Sequence, residues 1–137
     1  MAGSRSGLLH EFERRNMEEK SYEQLVAEAK LRITEITAQQ AIALSAGAGD
    51  PLYLDVREPQ EWNLFRIPGA IWVPLGDIDE ILAEQVPPDK KVIVYCARGN
   101  RSALAADTMK KQGYTDVASL AGGITAWADA GGEVDSE

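Results

Sequence analysis

The chain has one cysteine and one histidine in 137 residues. The lone cysteine, Cys96, excludes an internal disulfide and any cysteine pair spaced for zinc or dithiol redox chemistry. The lone histidine, His10, lies far from every other informative residue, which argues against a histidine-based triad or metal cage. No apolar run approaches the roughly 18 residues needed to cross a bilayer. The first residues also lack the apolar stretch of a signal peptide. Positive charge is scarce: 14 Lys and Arg stand against 22 Asp and Glu, a formal net charge of −8. Such a surface repels nucleic acid and anionic membrane. The expectation is a cytoplasmic protein with neither of these as a partner.

What is present reads as globular. A hydrophobic share of 45% with 26% charged residues suits one domain with a real core. Residues 1–16 stand apart. Gly3-Ser4, Arg5-Ser6 and Glu11-Phe12 are dipeptides that common cloning sites encode, and Met17 follows. This stretch is expected to be a vector-derived or disordered leader.

Ser21-Tyr22-Glu23-Gln24 and Thr37-Ala38-Gln39-Gln40 both read as capping boxes. The first opens a helix with Tyr22, Leu25, Val26, Ala29 and Ile33 at helical spacing. Packing of its apolar residues on the domain is the favoured role, with docking or dimerisation as the alternative. The second opens a helix to about residue 46, stopped by Gly47 and Gly49. Residues 52–56 read as a buried strand. Pro59 suits the first turn of a short helix around Glu61 and Trp62. Ile67-Pro68-Gly69-Ala70 places Pro and Gly where a type II turn wants them. Residues 71–73 form a brief strand, and a helix capped at Asp77 runs to about residue 85. Strands at 91–95 and 116–120 flank a helix at 102–112, and a last helix covers about 124–130. Strands alternating with helices predict a parallel sheet covered on both faces, with its site at the C-terminal strand ends. Trp62, Trp72 and Trp127 are assigned to packing.

Cys96 and Asp55-Val56-Arg57 both fall at such strand ends. An apolar run, Val92-Ile93-Val94-Tyr95, ends at Cys96, and Ala97, Arg98, Gly99, Asn100 and Arg101 lead into a helix. Backbone N–H groups of a tight loop and a helix N-terminus favour negative charge at one spot. A cysteine there is expected to have a depressed pKa and to act as a thiolate nucleophile. The alternative is a buried structural thiol. Arg98 and Arg101 are candidates for binding an anion, and Arg101 could instead brace the loop against a carboxylate. Gly99 allows close approach or positive φ. Ser102 is read as the N-cap of the following helix, with its hydroxyl near the sulfur as a second role. Asp55 and Arg57 are expected to pair and organise loops, and Gly122-Gly123 to make a tight turn beside the site.

Leu54-Asp55-Val56-Arg57-Glu58, Glu61-Trp62, Ile67-Pro68-Gly69-Ala70, Cys96-x-x-Gly99-Asn100-Arg101-Ser102 and Leu120-x-Gly122-Gly123-x-x-x-Trp127 together resemble the rhodanese (sulfurtransferase) domain. The resemblance spans about residues 33–134. It implies a three-layer α/β fold with a central parallel five-stranded sheet flanked by helices, and a catalytic domain at 37–134. Residues 17–36 would be a helical extension. It also implies that Cys96 accepts sulfane sulfur as a persulfide, within an active loop running from Cys96 to Arg101. No cofactor or metal is implied. The expected partners are a small sulfur anion such as thiosulfate and an acceptor such as cyanide or a thiol. One departure stands out: Phe65-Arg66 occupies the place where the family commonly has Gly-His.

Two rivals share these residues. A cysteine phosphatase or arsenate reductase would use the same loop physics, but its pattern is Cys, five residues, then Arg. Here that position is Ser102, and the arginine arrives one residue early. A persulfide carrier acting with a sulfur-accepting protein is the other.

Overall fold

The computed structural model describes residues 20–47 and 50–136. The leader expected at 1–16, His10 and the stop at Gly49 lie outside the described residues. The elements run α1 (Tyr22–Arg32), β1 (Thr34–Ile36), α2 (Ala38–Ala46), β2 (Leu52–Asp55), α3 (Pro59–Leu64), β3 (Ile71–Trp72), a 3-10 turn (Leu75–Asp77), α4 (Ile78–Gln85), β4 (Val92–Tyr95), α5 (Asn100–Lys111), β5 (Val117–Leu120) and α6 (Gly123–Asp129). The five strands form one parallel sheet in the order β1-β5-β4-β2-β3. This is the three-layer α/β arrangement that the sequence implies.

Local chemistry sets most boundaries. Both capping boxes form: Ser21 Oγ accepts from the Gln24 N–H and Thr37 Oγ1 from the Gln40 N–H, and each glutamine side chain reaches back. The Ala70 N–H donates to the Ile67 carbonyl at 3.2 Å, and Gly69 takes φ +79, closing the type II turn. Asp77 behaves differently from expectation. It lies in the 3-10 turn leading into α4, and its side chain makes no capping bond.

Residues 34–36, read as part of a helical extension, instead form the sheet's edge strand β1 against β5. Two of its three residues are exposed, so no apolar run marked it. α1 then packs on α5. Val26, Ala29 and Ala103 form a small buried cluster, while Leu25, grouped with them from the sequence, is 41% exposed. The Arg32 guanidinium donates to both carboxylate oxygens of Asp107 at 2.9 and 2.8 Å. That pair holds the Asp107 carboxyl below its usual range.

Alternation along β4 divides the core. Val92, Val94 and Cys96 face one cluster with Leu82, Ala105 and Met109. Ile93 and Tyr95 face the other, with Ala41, Ile124 and Trp127. Cys96 therefore enters the layer beneath α5, at the C-terminal end of a central strand.

Candidate active site

Cys96 is 1% exposed. Its sulfur is met by backbone donors from the turn that follows: the Gly99 N–H at 3.1 Å and the Ser102 N–H at 3.4 Å. Ser102 lies in the first turn of α5, where backbone N–H groups have no carbonyl partner within the helix. The sulfur takes that place. These donors favour negative charge at the sulfur position. The helix begins at Asn100, and its N-cap is Gly99 at φ +99, not Ser102. The positive φ turns the chain sharply into α5, which brings the Ser102 N–H round to the same sulfur. The Ser102 hydroxyl is inside the helix and fully buried. It accepts a hydrogen bond from the Cys96 thiol at 3.6 Å and lies 2.8 Å from Ser119 Oγ on β5. On an ionised sulfur this contact reverses, with Ser102 donating to sulfur and Ser119 donating to Ser102.

α6 secures the loop from behind. The Ile124 N–H donates to the Cys96 carbonyl at 2.9 Å and the Thr125 N–H to the Ala97 carbonyl at 3.2 Å. In a trans peptide the N–H points opposite to the C=O, so the amides of Ala97 and Arg98 turn away from α6. Gly123 makes this approach possible. A Cβ there would stand 2.4 Å from the Ala97 carbonyl carbon and oxygen. The turn read at Gly122-Gly123 thus abuts the loop.

The two loop arginines have separate fates. Arg101 donates to both Glu61 oxygens, at 2.6 and 2.9 Å, and so ties the loop to α3. Its guanidinium holds the Glu61 carboxyl down at about 2, and Glu61 in turn raises Arg101. Arg98 is exposed and makes no ion pair among the described residues. Asn100 is exposed at the start of α5.

Asp55 and Arg57 are almost wholly buried and paired, with the shortest contact 2.7 Å from Arg57 Nη2 to Asp55 Oδ2. Arg57 Nη2 also donates to the Phe65 carbonyl at 2.6 Å, and the guanidinium lies over the rings of Phe65 and Tyr95. The pair reaches the loop through Tyr95, the residue before Cys96. Phe65-Arg66 has a structural place here: Phe65 cradles Arg57, and Arg66 bridges to Asp135 through its backbone. Trp62 and Trp72 stack 5.8 Å apart and are half-buried, and Trp127 is buried in the core.

Three neighbours escaped the sequence reading as site residues: Glu61, Ser119 and Tyr22. Glu61 had a signal, since it stands in one of the recurring motifs and Arg101 needs a carboxylate. Ser119 had none beyond being polar in a strand. Tyr22 comes from α1 and is 46% exposed. Burial, more than the proximity of Cys96, pushes its phenol above the usual range, so it stays neutral and able to donate at neutral pH. Among the described residues, no group of three or more His, Cys, Asp or Glu side chains could hold a metal ion. None of the described helices is long and apolar enough to cross a membrane.

Comparison with known proteins agrees with this architecture. The model of the rhodanese-like domain family matches residues 37–130. A curated sulfurtransferase of Allochromatium vinosum is 36% identical over 96 residues, covering 70% of this chain and 89% of that protein. The probable adenylyltransferase/sulfurtransferase MoeZ of Mycobacterium tuberculosis is 44% identical over 77 residues, 55% of this chain. The match spans only 19% of MoeZ, so the chain corresponds to about a fifth of that relative. Among solved structures, a Rhodopseudomonas palustris protein of unknown function, described as a possible tyrosine phosphatase, superposes with a TM-score of 0.76 at 37% identity. That superposition covers 85% of this chain and 96% of the other. The chain belongs to the rhodanese-like domain family, and its kinship is with proteins of sulfur transfer.

Proposed function

We propose that this protein is a sulfurtransferase that moves sulfane sulfur from a donor such as thiosulfate to a thiophilic acceptor through a Cys96 persulfide. The observation that carries this reading is the Cys96 sulfur held by the Gly99 and Ser102 N–H groups, at 3.1 and 3.4 Å, inside a loop closed by Arg101. The Cys96 thiolate attacks the outer sulfur of thiosulfate. A new S–S bond forms, the old one breaks, and sulfite leaves with its electron pair. Arg98, exposed at the rim, meets the sulfonate end of the donor and the departing sulfite. The outer persulfide sulfur sits among the loop amides until an acceptor nucleophile attacks it. The electron pair then returns to Cys96 Sγ. No general base is needed when the sulfur is already ionised.

The phosphatase alternative fits less well. In that chemistry an arginine at position 102 would close around a tetrahedral phosphate. Here position 102 is a serine turned toward Ser119, and the guanidinium of Arg101 is engaged by Glu61. A protein acceptor remains a second form of the same reading, favoured by the MoeZ match, in which such a segment is one part of a larger protein. Thiocyanate production from thiosulfate and cyanide tests the enzyme reading. Cys96→Ala abolishes it while the protein stays folded by circular dichroism. Substantial activity in that variant overturns the mechanism.

A further inference from the structure

β5 carries a polar side chain into an apolar layer. Ser119 lies opposite Val94 in the parallel register, so the two side chains share a face of the sheet. Cys96, two residues past Val94, shares that face too. It is packed by Leu82, Ala105 and Met109. Ser119 is wholly buried there. A hydroxyl in such a place is destabilising unless it is hydrogen-bonded, and a methyl group would fill the space at no such cost. The Ser119 hydroxyl lies 2.8 Å from Ser102 Oγ, which is also wholly buried and lies 3.6 Å from the Cys96 sulfur. Two hydroxyls in series thus end on the nucleophile. The sheet fixes the far one, since Ser119 sits between Glu35 of β1 and Val94 of β4. The backbone N–H groups of Gly99 and Ser102 point at the sulfur whatever its charge, whereas the two hydroxyls can turn.

We propose that Ser119 is a positioning residue for discharge of the persulfide: it holds the Ser102 hydroxyl where it donates to Cys96 Sγ as charge returns to that sulfur. The inference rests on the persulfide reading above and assigns residues to its second half. In the persulfide, Cys96 Sγ is bonded to carbon and to the outer sulfur, and the Ser102 hydroxyl donates to Ser119. An acceptor such as cyanide attacks the outer sulfur with its electron pair. A C–S bond forms, the S–S bond breaks, and thiocyanate leaves. The pair from the broken bond passes to Cys96 Sγ. Both hydroxyls turn, so that Ser102 donates to the sulfur and Ser119 donates to Ser102, and each keeps its own proton. The contact is stronger while the bond breaks than before, which is the condition for lowering a barrier. A stabilised thiolate also leaves faster. In the loading half the same contact favours the ground-state thiolate, so it does not speed attack on the donor. The two halves therefore respond differently to its loss.

In a double displacement, kcat/KM for each substrate reports its own half-reaction. The test is the ratio of kcat/KM for cyanide to kcat/KM for thiosulfate, measured at about pH 9, above the ordinary range of a cysteine thiol. Ser102→Ala, which keeps the backbone N–H, lowers the ratio roughly tenfold, the scale of a lost donor to a charged atom. Ser119→Ala lowers it roughly threefold to fivefold, the scale of a lost support to that donor. The double variant matches Ser102→Ala alone, because Ser119 acts through Ser102. A merely loosened loop slows both halves and leaves the ratio where it was. An unchanged ratio in either single variant overturns the proposal, as does a further fall when Ser119→Ala is added to Ser102→Ala. Intact mass after thiosulfate alone separates the two readings. Sulfur on Cys96 with an unchanged ratio defeats only the role of Ser119. No sulfur on Cys96 defeats the persulfide chemistry, and this role with it.

Discussion

Charge on neighbouring residues assigns them different work. Arg98 and Arg101 stand three positions apart, yet one is tied to Glu61 and the other is free of ion pairs among the described residues. The sequence left both as candidates for anion binding, because a guanidinium two or five residues past the nucleophile suits either use. Only the position of Glu61, forty residues upstream, separates them. Replacing Arg98 by alanine is expected to lower kcat/KM for thiosulfate roughly threefold to tenfold, the scale of a partly solvated charge-assisted contact, with little change in Tm. Steady-state kinetics beside a thermal melt check this, and an unchanged kcat/KM removes Arg98 from the donor site. Arg57 is the opposite case. It is 2% exposed and paired with a wholly buried Asp55, so Arg57→Met leaves a carboxylate with no counter-charge. The expected loss is about 3–5 kcal/mol in urea unfolding. A loss below the error of such a titration contradicts the structural role.

The active loop is held by three elements: β4 in front, the first turn of α5 beneath, and α6 behind. α3 adds a fourth hold through Glu61. Glu61→Gln weakens that hold and leaves Arg101 short of a counter-charge, with an expected cost of about 1–3 kcal/mol. The pH dependence follows in sign. The Glu61 carboxyl falls from 4.5 to about 2 on folding, so its contribution is complete above 4.5 and is lost as pH drops from there through about 2. Both groups are about 30% exposed, so water and salt reduce its size. Unfolding of the wild type and Glu61→Gln between pH 6 and 2 is expected to show the difference shrinking at the acid end. A constant difference contradicts the ion pair.

Elements with a local cause were legible from the sequence. The capping boxes, the Pro-Gly turn and the apolar runs of β2 and β4 each carry their own chemistry within a few residues. β1 was not legible by pattern, because three residues with two exposed hold no period. Its place comes from pairing with β5, 84 residues further along the chain (Thr34 opposite Ala118). The α5 boundary was missed for a similar reason. Ser102 looks like a cap, but the Gly99 turn already starts the helix, and the hydroxyl goes inward to Ser119.

Across the whole molecule, an acidic chain sets one exposed arginine without an ion pair among the described residues, Arg98, two positions past one buried sulfur. The parallel sheet brings the ends of β2, β4 and β5 to one edge, and the loops there converge on Cys96. α1 adds a surface beside that edge. Family membership accounts for the frame and for kinship with sulfur transfer. In the proposed reaction Cys96 carries the sulfur during turnover. Intact mass spectrometry before thiosulfate, after it, and after subsequent cyanide tests this directly, with Cys96→Ala alongside. The wild type alone is expected to gain one sulfur atom, which cyanide then removes. No gain, in a protein whose Cys96 still alkylates readily, would contradict it.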